Sequence, residues 1–168
     1  GSARSGAASS SQLKFLKETN DEQAQTIKLQ KSTIGSLKEE VELLTRELGL
    51  TDHVKFLGKQ SALPEILSAA DIFLLPSQSE SFGLAALEAM SCSVPVVATS
   101  AGGIPEVIIH GETGYVAEMA DTNRMAKYVV DLLTNPKKYE RFAQASRQRA
   151  VECFRTDLLI PDYEAVYE

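Results

Sequence analysis

From Val54 onward, short runs of apolar and β-branched residues alternate with stretches patterned for helices, and this alternation leaves the chain very few folds. Val54–Gly58, Asp71–Pro76, Val94–Thr99 and Gly114–Ala117 read as strands. Helices are expected near Ala62–Ala70, Gly83–Ser91, Ile104–Ile109, Asp121–Leu133, Pro136–Val151 and Leu158–Tyr167. Strands alternating with helices build βαβ units, and successive units make a parallel sheet with helices on both faces. The run Ile72-Phe73-Leu74-Leu75 is continuously apolar, as a strand covered on both faces requires. The expected class is α/β, a truncated Rossmann-like parallel sheet of about four strands behind a long N-terminal helix.

That helix has a different period. From Leu13 to Leu48 the sequence keeps a heptad, with Leu13, Asn20, Ile27, Ile34, Val41 and Leu48 at a and Leu16, Gln23, Gln30, Leu37 and Leu44 at d. β-Branched residues at three a positions with Leu at d suit a parallel two-stranded coiled coil, and Asn20 is a register-fixing polar residue at the seam. Gln23 and Gln30 weaken its middle. The plainer alternative is one amphipathic helix packed on its own domain, but a helix of this length exceeds the ~12 residues usual in globular proteins. A homodimer through residues 12–48 is expected.

Composition narrows the rest. With 168 residues and 43% hydrophobic content, the chain can bury one core rather than two. The net charge of −6 is spread out, and no Lys/Arg cluster could follow a nucleic-acid backbone. Cys92 and Cys153 fit neither a zinc site nor a CxxC redox pair, and read as free thiols in a reducing compartment. No apolar run approaches the ~20 residues of a membrane helix, so a cytoplasmic protein with no membrane partner is expected. Residues 1–11, rich in Gly, Ala and Ser, read as a flexible leader left by a cleaved tag. The expected organisation is leader 1–11, heptad helix 12–48 and α/β part 49–168.

On parallel sheets, ligands bind beyond the carboxyl ends of strands. Two segments fall there. In the first, Pro76 to Glu88, Gly83 permits close approach of a ligand, and the free amides of the following helical turn suit a phosphate. Glu80 and Glu88 flank that turn, and a carboxylate accepts two hydrogen bonds from vicinal hydroxyls. Amides for phosphate with carboxylates for hydroxyls describe a nucleotide-sugar site. The bland alternative is a solvated loop beside a surface helix. The second segment, Thr99 to Glu106, holds Gly102-Gly103 and has Pro105 suited to a first helical turn. Taken alone, that double glycine is a tight turn. Gly111 to Gly114 reads as a turn only, and His53 and His110 lack a nucleophile to activate.

Taken in order, Glu80-Ser-Phe-Gly-Leu-Ala-Ala-Leu-Glu88, Val94-Pro-Val-Val-Ala-Thr99, Gly102-Gly-Ile-Pro-Glu-Val107 and Gly111-Glu-Thr-Gly-Tyr115 resemble the C-terminal domain of family-four glycosyltransferases of the GT-B type. The stretch from Arg46 to Gln60 is similar to the subfamily of N-acetyl-α-D-glucosaminyl L-malate synthases of bacillithiol biosynthesis. The resemblance spans residues 44–168. It implies that Glu88 holds the ribose of UDP, that Glu80 is the catalytic-site carboxylate on a donor-sugar hydroxyl, and that amides of Phe82, Gly83 and Leu84 contact sugar and diphosphate. It implies that Gly102 and Gly103 complete the donor site and that Lys59 and Gln60 lie near the uracil. It also implies a UDP-sugar donor such as UDP-GlcNAc, retention at the anomeric carbon, and no metal or other cofactor. Ser93 departs from the pattern, since the family usually has Gly there.

The family's acceptor domain has no counterpart in the sequence. Nor do two strand-helix units carrying a basic Arg/Lys pair that faces the diphosphate. Three outcomes are open: Val54–Gly58 closes up against Asp71–Pro76, a second chain completes the sheet, or the isolated chain folds poorly. The first is favoured, and it would shift the strand-end loops by roughly 10 Å and carry Lys59 and Gln60 away from the base. A heptad helix running straight into a family helix reads as a fusion, made in the laboratory or by recombination. The expected function is donor binding without turnover. The alternative is an oligomerisation module in which the helix works and the α/β part is an inert cap.

Overall fold

A computed structural model describes residues 10–167. Residues 1–9 of the expected leader lie outside the described residues, and Ser10 and Ser11 already belong to a helix. The chain divides after Gly58 into two compact units.

The first unit is dominated by α1, Ser10–Glu47, 38 residues long. The side chains of Leu13, Leu16 and Asn20 lie outside the described residues. The remaining apolar seam positions, Ile27, Ile34, Leu37, Val41, Leu44 and Leu48, are all exposed, between 46% and 69%. Gly49 ends the helix at φ +67°. Its N–H donates to the Arg46 carbonyl and the Leu50 N–H to that of Thr45, a Schellman closure that satisfies two terminal carbonyls.

Val54–Gly58 forms no strand among the described residues, which corrects the sequence reading of a fourth strand closing up beside Asp71–Pro76. Val54, Phe56 and Leu57 stay exposed. A strand gains its backbone hydrogen bonds only from a neighbour, so an apolar run without an adjacent strand has no reason to extend.

The second unit contains α2 (Leu63–Ser68), β1 (Phe73–Leu75), α3 (Leu84–Ser91), β2 (Val96–Thr99), α4 (Ile104–Val107), β3 (Gly114–Ala117), α5 (Thr122–Leu133), α6 (Pro136–Cys153) and α7 (Thr156–Tyr167). Three strands, not four, form one parallel sheet in the order β1-β2-β3 among the described residues. Every residue of the central strand β2 is buried. Its side chains alternate between faces, so it joins two cores. Val96 and Ala98 pack with Leu67, Ala86, Met90, Ile104 and Val107 on one side. Val97 packs with Ala117, Met125, Leu132 and Phe142 on the other.

Local chemistry sets the helix ends. The Asp121 carboxylate accepts from the Arg124 N–H at 2.9 Å and caps α5. Pro136 opens α6 where a missing N–H costs nothing. At the end of α3, the Ser93 N–H donates to Met90 and the Val94 N–H to Ala89, the same closure as at Gly49. Ser93 sits at φ +62°, in the left-handed region that favours glycine. The serine that departs from the resembled family's usual glycine is thus held in a strained conformation.

Candidate functional site

The loops leaving β1 and β2 emerge from the same end of adjacent parallel strands, so Pro76–Gly83 and Ser100–Gly103 are neighbours. Their contact is close. A Cβ on Gly102 would lie 1.5 Å from the Glu80 carbonyl oxygen, and one on Gly103 would lie 2.9 Å from both Phe82 Cα and the Ser81 carbonyl oxygen. The Gly103 N–H donates to the Ser81 carbonyl at 3.2 Å. The double glycine is more than a tight turn: it lets the second loop lie directly on the backbone of the first. Thr99 fixes the base of this assembly, because its buried hydroxyl donates to the Ser77 carbonyl at 2.5 Å. The Ser100 N–H donates to Ala117 at 2.8 Å, which ties the second loop to β3.

Gly83 starts α3 at φ +96° with no side chain capping the helix. The first intrahelical bond is Leu87 N–H to the Gly83 carbonyl, which leaves the N–H groups of the first turn without intrahelical acceptors. Those groups and the helix dipole make this end locally positive. Glu80 stands beside it, half-buried, with its Cγ 4.0 Å from where a Gly83 Cβ would be. One carboxylate oxygen accepts from the Ser81 N–H at 3.2 Å, which leaves the other available. Glu88 lies five residues beyond Gly83, about 7 Å along the helix axis. It is exposed and forms one wall of a cavity of about 340 Å³ between α2 and α3, with Leu63, Pro64, Leu67, Ser91 and Cys92.

The structure thus gathers Glu80, Phe82, Gly83, Leu84, Gly102 and Gly103 at one strand end, with Glu88 one turn farther along α3. Lys59 and Gln60 precede α2 in irregular, exposed chain. The strand meant to set them near the base does not form. Among the described residues no three His, Cys, Asp or Glu side chains come together to hold a metal ion. His110 has a local task, since its Nδ1 accepts the Val116 N–H at 3.0 Å.

A second polar cluster joins β3, α5 and α6 instead. Lys138 Nζ donates to both Asp131 oxygens at 2.8 and 2.9 Å, and the Tyr115 hydroxyl donates to Asp131 at 2.7 Å. The Lys138 bond, and then that from Tyr115, holds the Asp131 carboxyl below its ordinary range. Burial, and then the Asp131 bond, pushes the Tyr115 phenol up. The cluster links three elements and touches neither loop.

The sequence reading missed Thr99, Arg149 and Phe154. A threonine closing an otherwise apolar strand was a usable signal for Thr99. Nothing local marked the other two, since what they touch lies far away in sequence.

Comparison with known proteins gives this geometry a family. The profile of "Glycosyl transferases group 1" matches residues 12–149, which takes in most of α1 as well as the sheet. The N-acetyl-α-D-glucosaminyl L-malate synthase of Bacillus anthracis is 43% identical over 124 residues, 74% of this chain and 32% of its own. An α-maltose-1-phosphate synthase of Mycobacterium tuberculosis is 45% identical over 98 residues, 55% of this chain and 25% of its own. Among solved structures, Anabaena Alr3699/HepE in complex with UDP and glucose superposes with a TM-score of 0.77 at 27% identity, covering 79% of this chain and 36% of that one. The C-terminal domain of the Francisella tularensis glycosyl transferase LpcC superposes with a TM-score of 0.65 at 30% identity, covering 72% of this chain and 64% of that one. This chain spans about a third or less of the length of the curated relatives it matches. No described helix is long and apolar enough to cross a membrane. With its two strand-end loops and its profile match in agreement, the chain belongs to the group 1 glycosyl transferases.

Proposed function

We propose that the second unit is the donor half of a retaining glycosyltransferase, and that it binds UDP or a UDP-sugar, UDP-GlcNAc first among them, without completing transfer by itself. The observation that carries this is the uncapped start of α3 held between Glu80 and the Gly102-Gly103 turn. In this reading the amides of Phe82, Gly83 and Leu84 face the diphosphate, where the helix dipole favours negative charge. Glu80 accepts a hydroxyl of the sugar. Glu88, about 7 Å farther along α3, accepts the ribose hydroxyls, with the neighbouring apolar cavity beside it. Two similarities support the choice of ligand: the Anabaena protein is described with UDP and glucose, and the Bacillus enzyme is named for an N-acetylglucosaminyl group.

Binding is proposed to need no metal, since backbone amides and the dipole supply the positive potential. Turnover is not expected, because among the described residues the two strand-end loops bring no basic pair to oppose the charge that develops on departing UDP. The reading places the protein in the cytoplasm and its ancestry near bacillithiol synthesis. Lys59 and Gln60 are given no role in it. The test is calorimetric titration with UDP, using Glu88→Ala as the control. Saturable binding that the variant loses supports the reading, and no heat up to millimolar UDP sinks it.

A second reading rests on a different observation, the exposed seam of α1. The hydroxyls of Thr26 and Thr33 bond back to the carbonyls of Glu22 and Leu29, so beside that seam they need no solvent partner. In this reading residues 12–48 form a parallel two-stranded coiled coil with a second copy. The helix is then the assembly element, and the donor unit is carried by it.

A further inference from the structure

The end of α6 reaches both loops of the candidate site through two side chains that the sequence reading did not single out. Phe154, just past the helix, meets the Phe82 ring edge-on, with centroids 5.9 Å apart and planes at 71°. Arg149, one turn earlier, donates through Nε to the Val107 carbonyl at 2.7 Å and through Nη2 to the Glu106 carbonyl at 2.6 Å. These are carbonyls at the close of α4, the short helix that the Gly102-Gly103 turn begins. The guanidinium carbon of Arg149 also lies 5.5 Å from the centre of the Phe154 ring. One guanidinium therefore binds the second loop's helix and stacks on the ring that braces the first loop. At their other ends the two loops already touch, at Gly102 and Glu80 and at Gly103 and Ser81. The circuit is closed: Phe82, Phe154, Arg149, Glu106–Val107, Gly103, Ser81 and back to Phe82.

We infer that Arg149 and Phe154 are positioning residues that make the Glu80–Leu84 loop and the Gly102–Val107 turn and helix move as one body, holding the α3 amides in place for a nucleotide diphosphate. The ligand in this inference rests on the donor reading above; the mechanical link does not. Phe154 lies beyond residue 149, where the family profile match ends. A guanidinium suits the task because its planar fork makes two hydrogen bonds and stacks at once. Lysine can do neither together.

The experiment is amide hydrogen exchange on the full chain, with UDP affinity measured alongside. The variants are Arg149→Met, Phe154→Leu, Phe154→Tyr and, as a control for general destabilisation, Leu132→Ala in the opposite core. The diagnostic result is a crossed effect. Arg149 makes no contact with Phe82 that would by itself order the first loop. Arg149→Met is nonetheless expected to speed exchange about tenfold at the Leu87 amide, which closes on the Gly83 carbonyl at the end of the first loop, as well as in 102–107. Phe154→Leu should loosen both segments in the same way, and Phe154→Tyr should behave like the unsubstituted chain. Leu132→Ala should speed exchange around β3 and α5 without the paired response. If Arg149→Met loosens only 102–107, the contacts are independent and the inference is overturned, whether or not Phe154→Leu folds. A chain that binds UDP, with Arg149→Met binding it equally well, would also overturn the assignment. Crossed exchange in a chain that binds no UDP would overturn the donor reading and uphold the link.

Discussion

Replacing Gly102 by alanine tests the closest contact in the candidate site. At φ +51°, Gly102 occupies a left-handed conformation that costs an L-residue about 1–2 kcal/mol. The added Cβ would then lie 1.5 Å from the Glu80 carbonyl oxygen, a backbone atom that cannot swing aside as a side chain can. Relief requires the two loops to separate by more than an ångström. That breaks the bond from Gly103 N–H to the Ser81 carbonyl, which costs roughly 1–3 kcal/mol if either group stays buried. The sum is about 2–5 kcal/mol. Gly111 supplies the internal comparison, since it lies at φ +82° with nothing within 4 Å of an added Cβ. Gly111→Ala should therefore cost only the conformational share, about 1–2 kcal/mol. In thermal unfolding followed by circular dichroism, a unit of this size loses about 4 °C per kcal/mol. Gly102→Ala should then melt about 8–20 °C lower and Gly111→Ala about 4–8 °C lower. Equal losses from the two substitutions would refute the close approach of the loops, and with it the site built on that approach.

Three other outcomes are expected. Ser93→Gly should raise stability by about 0.5 kcal/mol, measured as a shift in denaturant midpoint, because relief of the φ +62° strain exceeds the extra entropy of an unfolded glycine. The Asp131 carboxyl, held below its ordinary range of about 4 by Lys138 and Tyr115, stabilises the folded state above that range and loses the contribution as pH falls through its lowered folded value. Denaturant midpoints of the unsubstituted chain should therefore drop more steeply below about pH 4 than those of Asp131→Asn. Ile34→Asp, at an exposed a position, should abolish the concentration-dependent dimer in sedimentation while leaving UDP titration unchanged. If monomers are found in the unsubstituted chain at high micromolar concentration, the coiled-coil reading fails.

The sequence by itself determined the helices, the strands β1, β2 and β3, and the identity of the candidate residues at the end of β1. Helical hydrogen bonds close within four residues, so the period of α5 or the cap at Asp121 is legible locally. The motif from Glu80 to Glu88 could be read because carboxylates, glycine and a helix start lie within nine consecutive residues. Tertiary structure decided what depends on partners distant in sequence. Val54–Gly58 has the residues of a strand and does not become one, since a strand's hydrogen bonds must come from a neighbouring strand and none pairs with it among the described residues. The meaning of Gly102-Gly103 was equally hidden. Its bare Cα atoms matter because the backbone of Glu80 and Phe82, some twenty residues earlier, packs against them. Arg149 and Phe154 look ordinary in sequence, and only packing puts them against Val107, Glu106 and Phe82. Local bonding can be read from residue order, whereas contact between distant segments exists only once the sheet has brought their ends together.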